Sequence, residues 1–347
     1  MEKSRLGNTD IEVSRLALGT MTFGAQNSAA EAHAQLDQAI DGGITFIDTA
    51  ELYPAPASAK LYGETERLIG QWLARSGKRQ HLILATKVAG PAAYVSWVRG
   101  GRSKHDAANL QAAVEGSLVR LGVDCIDLLQ LHWPDRATNV FHQRGFKPPQ
   151  EESDFSIETT LRALEALITT GKIRHIGIAN ETAWGMAQFL HLAALHKLPR
   201  IVSIQNPYNL LQRGFDSGLA EIAWREGCGL LAYAPLAGGL LSGKYFDASA
   251  SPQARLHQHA KHYRHYNSPA ARLAAARYVA IAKAAGLDPA AMALAFVASK
   301  PYVTSVIIGA TTLAQLADNL RAATITLPRD VMRAIDAVHE EIPNPCP

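Results

Sequence analysis

The sequence predicts a (β/α)8 TIM barrel, folded as a single domain over residues 1–347. Three observations carry this reading. Eight apolar runs of strand length recur along the chain, helix-like segments separate them, and the runs are continuously hydrophobic rather than alternating. Continuous hydrophobicity suits strands covered on both faces, as in a parallel sheet. The 347 residues are 48% hydrophobic and 19% charged, which provides for a large core, and barrels of this type commonly use about 250 residues or more as one domain.

In chain order, "RLGNTDIEV" (5–13) predicts a small extra β-hairpin turning at Asn8-Thr9. The barrel runs are then "RLALGT" (15–20), "ITFIDT" (44–49), "HLILATK" (81–87), "CIDLLQLH" (125–132), "IRHIGIAN" (173–180), "IVSIQN" (201–206), "GLLAYA" (229–234) and "VTSVIIG" (303–309). Each is bounded by polar or glycine punctuation. Between the first two runs, Ser28 reads as an N-cap with Glu31 three residues on, and Gly42-Gly43 as the stop. "ETERLIGQWLARSG" (64–77) and "TLAQLADNLRAA" (312–323) carry helical periodicity. The alanine-rich segment 269–296 reads as helices rather than as a linker.

The ends of these runs carry the chemistry. Active sites of such barrels lie at the C-terminal ends of the strands, where this chain places Thr20, Asp48, Lys87, His132, Asn180, Gln205 and Tyr233. Tyr53 follows Asp48 by five residues. A buried Lys87 beside Asp48 would form an ion pair, and a cation near Tyr53 is expected to lower the phenol pKa so that it delivers a proton at neutral pH. His132 would orient a carbonyl oxygen or share the proton. The set contains no obvious serine or cysteine nucleophile and no metal-ligand spacing. It suits protonating an oxygen while a cofactor delivers hydride to the carbon.

"GTMTFG", "FIDTAELY", "ATKV", "LLQLHWP", "IGIAN", "QNPYN", "YAPLAGGLLSGKY" and "IIGATTLAQLADN" together resemble the aldo-keto reductase family, in its order and spacing, over nearly the whole chain. The branch that is most similar also resembles potassium-channel β subunits. The resemblance implies NADP(H) bound extended across the barrel mouth, without a Rossmann domain, and a small-molecule carbonyl substrate. It implies a catalytic tetrad of Asp48, Tyr53, Lys87 and His132, with Tyr53 as general acid. It also implies cofactor contacts. Thr20 lies at the mouth, Asn180 and Gln205 meet the nicotinamide carboxamide, and Tyr233 stacks on the ring. Pro235, Leu236, Ala237 and Lys244 wrap the pyrophosphate. Thr311, Gln315, Asp318 and Asn319 lie on the adenosine side. Two departures from the family pattern stand out. Ala179 precedes Asn180 where a serine is usual, and Thr311-Thr312 stands where relatives carry a cation for the 2′-phosphate. Arg255 or Arg264 is expected to supply that charge.

Three long connections, 89–106, 133–157 and 237–268, follow strands and so crowd the mouth. They contain Tyr94, Trp97, Trp133, Phe141 and Phe146, an aromatic set that either walls an apolar substrate pocket or packs the loops down. "RLHQHAKHYRHY" (255–266) holds His257, His259, His262 and His265, whose irregular spacing without carboxylate or cysteine fits a basic loop near the cofactor better than a metal site.

The formal charge of +3 and the scattered basic residues give no nucleic-acid footprint. The charged N-terminus lacks an apolar leader core and no run approaches membrane-spanning length, so a cytoplasmic protein without membrane contact is expected. Cys125, Cys228 and Cys346 are too far apart to suggest a disulfide framework, and Cys346, in the tail "PNPCP", is expected to fray. Oligomeric state is left open. Two readings stand beside the reductase: a cofactor-loaded, redox-sensing binding subunit of slow turnover, and a Schiff-base enzyme using Lys87.

Overall fold

The computed structural model describes residues 1–141, 143, 145–149, 156–246, 251–261 and 263–346. Two short strands, β1 (Lys3–Arg5) and β2 (Glu12–Ser14), pair antiparallel around the Asn8-Thr9 turn. Eight more strands follow: β3 (Leu16–Gly19), β4 (Phe46–Asp48), β5 (Ile83–Val88), β6 (Ile126–Leu131), β7 (Ile173–Ala179), β8 (Ile201–Pro207), β9 (Gly229–Tyr233) and β10 (Val303–Ile308). They close into a parallel barrel in the order β10-β3-β4-β5-β6-β7-β8-β9. Each falls within, or within a residue of, one of the eight apolar runs, as hydrophobic continuity dictates for strands buried on both faces.

Helices cover the outside. Ser28 caps Ala29–Asp41 in a reciprocal capping box with Glu31. Glu64–Ser76 stops at the left-handed Gly77. The alanine-rich segment forms two helices, Pro269–Ala284 and Pro289–Ala298, each with proline in its first turn and a Ser268 or Asp288 cap. The main apolar core lies between these helices and the barrel, around Leu36, Trp72, Leu164, Tyr208 and Phe296. Among the described residues no single helix is long and apolar enough to cross a membrane.

A second core fills the barrel itself, and it positions the site. Period-two alternation points Phe46 and Asp48 to one side of β4, Ala85 and Lys87 to one side of β5, and Leu128 and Gln130 to one side of β6. Phe46, Ala85, Leu128, Leu231 and Ile307 form an apolar floor, closed from below by Leu6 and Val13 of the hairpin. One step up each strand, the same inward face presents Asp48, Lys87 and Gln130. The floor therefore keeps water from reaching the polar layer from beneath. The hairpin plug has a measurable worth. Leu6 is fully buried, so Leu6→Ala should cost about 2–5 kcal/mol in urea unfolding. The exposed Leu195→Ala should stay within about 0.5 kcal/mol.

Candidate active site

Asp48 ends β4 opposite Ala85 of β5, and Lys87, two residues further along the same face of β5, reaches back to it. The Lys87 ammonium donates to Asp48 Oδ2 at 2.5 Å, to the Thr49 carbonyl at 2.8 Å and to the Tyr53 hydroxyl at 3.4 Å. An ammonium has three donors, and each of these bonds uses one. The other Asp48 oxygen accepts from Gln130 at 3.0 Å and Gln205 at 2.8 Å, and Gln205 also donates to Gln130 at 3.0 Å. Asp48, Lys87, Gln130 and Gln205 are all buried. Gln130 was not foreseen, although it stands two residues before His132 and so shares its face of β6.

Tyr53 lies partly buried above this pair, its ring 5.9 Å edge-on from His132. Its pKa departs from the sequence expectation. Burial pushes the phenol up, Lys87 pulls it down, Asp48 pushes it up again, and the net shift is upward. A neighbouring cation was expected to win, but desolvation of a phenolate at this depth outweighs it. For Lys87, burial pulls the ammonium down while Asp48 and Tyr53 push it up, and the net is upward. His132 is held well below its ordinary value by burial first, then by Lys87 and by the buried His105. His105, whose Nε2 is buried without a hydrogen-bond partner, is lowered to about 3 by the same burial.

The other residues singled out by sequence lie around the same mouth. Thr20 donates its hydroxyl to the Asp48 carbonyl at 2.9 Å. Asn180, in left-handed backbone at φ 52°, donates to the His132 carbonyl at 2.8 Å and accepts from the Tyr233 hydroxyl at 2.6 Å. Asn180 and Tyr233 line a cavity of about 140 Å³ with Asn139, Phe141, Gln143 and Asn206. Val140, Glu181 and Pro207 complete its lining, and the amides beside the Tyr233 ring suit a ring that bears a carboxamide. Beyond β9, Leu236 (φ −99°, ψ 10°) is followed by left-handed Ala237 (φ 49°) and Gly238 (φ 66°). A right-to-left-handed sequence of this kind is the backbone of an anion-binding nest, although here the Ala237 and Gly239 N–H groups donate to the Ala234 and Leu236 carbonyls at 2.9 and 2.8 Å. Pro235 precedes it. The Lys244 ammonium would sit 3.1 Å from a β-carbon added at Gly239, against the same loop. Burial lowers the Lys244 pKa, and Arg255 nearby lowers it further. Two cations beside a nest fit a pyrophosphate-bearing dinucleotide.

At the far end, Thr312 caps helix Leu313–Arg321. Gln315 accepts from both the backbone N–H and the hydroxyl of Thr311, at 3.0 Å each. Asp318 pairs with Arg321, and the buried Asn319 donates to the Gly309 carbonyl at 3.3 Å. Gln258, in the short helix Arg255–Gln258, accepts from Gln26 at 3.0 Å, while the adjoining Asn27 donates to the Thr311 carbonyl at 3.0 Å. The segment that carries Arg255 is thus tied to the same end. Arg264 is exposed. Of the histidine-rich stretch, His262 lies outside the described residues, and His257 bonds the Ser251 carbonyl. Among the described residues no group of three His, Cys, Asp or Glu side chains is placed to hold a metal.

The aromatics divide. Trp133 is buried, 5.1 Å from His132, and carries Tyr94 at 5.9 Å and Phe141 at 5.6 Å on its outer side. Trp97 packs edge-on against Tyr62, and Phe146 is exposed. Trp133 donates its indole N–H to the Pro91 carbonyl at 3.0 Å, an approach that depends on Gly90, where a β-carbon would meet the indole at 2.7 Å. One further expectation fails. Cys346 does not fray: it is buried, and its N–H donates to the Leu211 carbonyl at 3.1 Å. Arg213 N–H, bonded to the Asn344 side chain at 2.7 Å, holds the same tail in place.

Comparison with known proteins agrees with this geometry. A family model described as the aldo/keto reductase family matches residues 15–340. The chain is 46% identical to Protein tas of Escherichia coli K12, over 100% of both chains. It is 31% identical to the L-glyceraldehyde 3-phosphate reductase of the same organism, over 93% of this chain and 87% of that one. It is 28% identical to a probable voltage-gated potassium channel subunit beta of Oryza sativa subsp. japonica, over 99% of this chain and 98% of that one. With a closed parallel barrel, polar groups gathered at its mouth and relatives matched almost end to end, the chain belongs to the aldo/keto reductase family of oxidoreductases.

Proposed function

We propose that the chain reduces aldehydes or ketones to alcohols with NADPH, with Tyr53 as the general acid. The observation that carries this reading is the alignment of Tyr53, Lys87 and Asp48. A phenol hydroxyl stands 3.4 Å from an ammonium that is itself locked to a buried carboxylate at 2.5 Å. Burial keeps the phenol protonated at neutral pH, so the proton leaves only as negative charge builds on a carbonyl oxygen nearby. Lys87 then stabilises the phenolate left behind, and Asp48 keeps Lys87 charged. A charged ammonium with its donors engaged is a poor nucleophile, which counts against Schiff-base chemistry. His132, neutral at physiological pH, orients the carbonyl oxygen without adding a charge.

When bound, NADPH supplies hydride to the carbonyl carbon. Asn180, Gln205 and Tyr233 would hold its nicotinamide, with Thr20 beneath. Pro235, Leu236, Ala237 and Lys244 would hold its pyrophosphate. Thr311, Gln315, Asp318 and Asn319 would hold its adenosine end. We assign the 2′-phosphate to Arg255, because its segment is tied to Thr311 through Gln26 and Asn27, whereas Arg264 is exposed. The substrate is a small-molecule carbonyl compound. Trp133, Tyr94 and Phe141 favour one with an apolar or aromatic body.

Three measurements test this. Tyr53→Phe should lower kcat for carbonyl reduction about a hundred- to ten-thousandfold, the worth of a positioned general acid, with NADPH binding by tryptophan quenching unchanged. Full activity in that variant sinks the assignment. Arg255→Ala should weaken NADPH binding about tenfold and NADH binding much less, since only the former carries the extra phosphate. Finally, His105 and His132 are kept neutral in the folded chain but take up protons below pH about 6.5 when unfolded. The unfolded state then binds more protons, so stability falls as pH drops from about 6.5 toward 5, by up to about 1.4 kcal/mol per pH unit for each histidine. Urea midpoints across that range should show the fall, and His105→Gln should make it shallower.

A further inference from the structure

Outside the tetrad, a densely bonded charge pair is formed by the buried Glu51 and the partly buried Arg99. Glu51 lies between Asp48 and Tyr53, and its carboxylate is fully buried. One oxygen accepts the Ala89 N–H at 2.7 Å; the other accepts from Tyr62 at 2.5 Å and from Arg99 at 2.7 Å. Arg99 comes from the long loop after β5. Besides Glu51, its guanidinium donates to the Asn109 side chain at 3.0 Å, to the Ser103 hydroxyl at 3.0 Å and to the Ala89 carbonyl at 3.3 Å. A single ion pair thus joins the Tyr53 segment, the chain just beyond Lys87, and the loop 89–103.

The backbone gives way to make this contact. Arg99 is left-handed at φ 47°, a conformation that side chains avoid, and Gly100 and Gly101 continue it at 67° and 80°. Strain of this kind persists where surrounding contacts over-determine it, and it gathers at functional sites. The same loop presents Tyr94, 58% exposed, beside Trp133 at the mouth. Val95 and Val98, on either side of Trp97, are buried against Leu52, Ala89 and Trp133. The loop therefore has an apolar anchor on Leu52 and Trp133 and an ionic one on Glu51, and the ionic one adds direction, because its bonds hold only in one register.

We propose that Arg99, clasped by Glu51, is a positioning residue that registers the Tyr94–Trp133 wall above Tyr53 and so selects carbonyl substrates with a flat aromatic body over short aliphatic ones. The proposal rests on the reductase reading above. A short aldehyde reaches Tyr53 and His132 without touching the wall, whereas an aromatic one needs Tyr94 held beside Trp133.

The test compares 4-nitrobenzaldehyde with propanal, both with NADPH, on the full chain. Arg99→Ala should raise KM for the aromatic aldehyde about tenfold, the scale of one lost apolar pocket contact. KM for propanal should move less than about threefold, and kcat for neither should fall in proportion. Chymotrypsin should cut after Tyr94 or Trp97 faster than in wild type, as the ionic anchor opens. Because Arg99→Ala leaves a buried carboxylate without its cation, the double variant Glu51→Gln/Arg99→Ala is measured alongside. It should lose the same discrimination while the amide oxygen still accepts the Ala89 N–H and the amide NH2 donates to the Tyr62 oxygen. Equal changes in KM for the two aldehydes, or unchanged discrimination in the double variant, overturn the proposal. A wild-type protein that reduces neither aldehyde sinks the reductase reading and this proposal with it. An active wild type whose variants keep their discrimination sinks the proposal alone.

Discussion

The Asp48–Lys87 ion pair is the constraint around which the rest of the molecule is arranged. Desolvating two charges costs several kcal/mol each, and their attraction compensates only if every remaining lone pair and proton is also bonded. Here that condition is met from four strands. Lys87 is satisfied by Asp48, the Thr49 carbonyl and Tyr53, and Asp48 by Lys87, Gln130 and Gln205. β4, β5, β6 and β8 must hold their registers to within a residue for this to work, because a slip of one residue turns each of these side chains out of the barrel. The apolar floor beneath, closed by the hairpin, keeps the local dielectric low. That raises both the strength of the pair and the penalty for breaking it.

Further buried carboxylates repeat the arrangement away from the barrel axis. Glu51, Glu66 and Glu181 are each buried and each paired with an arginine, respectively Arg99 at 2.7 Å, Arg120 at 2.7 Å and Arg136 at 2.5 Å. In each case the arginine comes from a loop or helix that the barrel strands alone would not fix. Arg136 forks onto both Glu181 oxygens and covers Trp184 with its other face. The guanidinium suits this task because it keeps its charge at partial burial and presents several donors in one plane. The barrel thus orients Asp48, Lys87 and Gln130, Glu51–Arg99 and Glu181–Arg136 hold loops beside them, and Glu66–Arg120 ties two outer helices together.

The fold was legible in the sequence because each strand is a continuous apolar run and each stop a glycine, proline or cap, all of them local signals. The gathering of Asp48, Lys87, Tyr53 and His132 was legible because Asp48, Lys87 and His132 stand at strand ends, where a polar group interrupts an apolar run. What escaped was decided by partners distant in sequence. Gln130 looks like an ordinary polar residue until Asp48 is placed beside it. The Glu51–Arg99 pair joins residues in different loops. Cys346 looks like tail, yet it docks on Leu211 and, through its thiol, on the His265 carbonyl at 3.4 Å. The direction of the Tyr53 shift was misjudged because a sequence reveals the neighbouring cation but not the depth of burial that outweighs it.

Strain completes the pattern. Among the described residues, Arg99, Phe141, Asn180, Lys197, Ala234, Ala237 and Asn344 adopt left-handed backbone without being glycine. All but Lys197, at a helix C-terminus, and Asn344, in the C-terminal tail, lie in segments that leave the C-terminal ends of barrel strands. Such conformations cost on the order of 1–3 kcal/mol each, and alanine and phenylalanine have no local hydrogen bond with which to offset the cost. Random placement would scatter them over the surface turns, where glycine is freely available and in fact used, as at Gly77 and Gly122. Five of the seven stand at the mouth, so the segments there are held in shape by the contacts around them. The stability of the barrel beneath offsets the strain, and Tyr53, His132 and Trp133 are presented between segments whose backbone is already set.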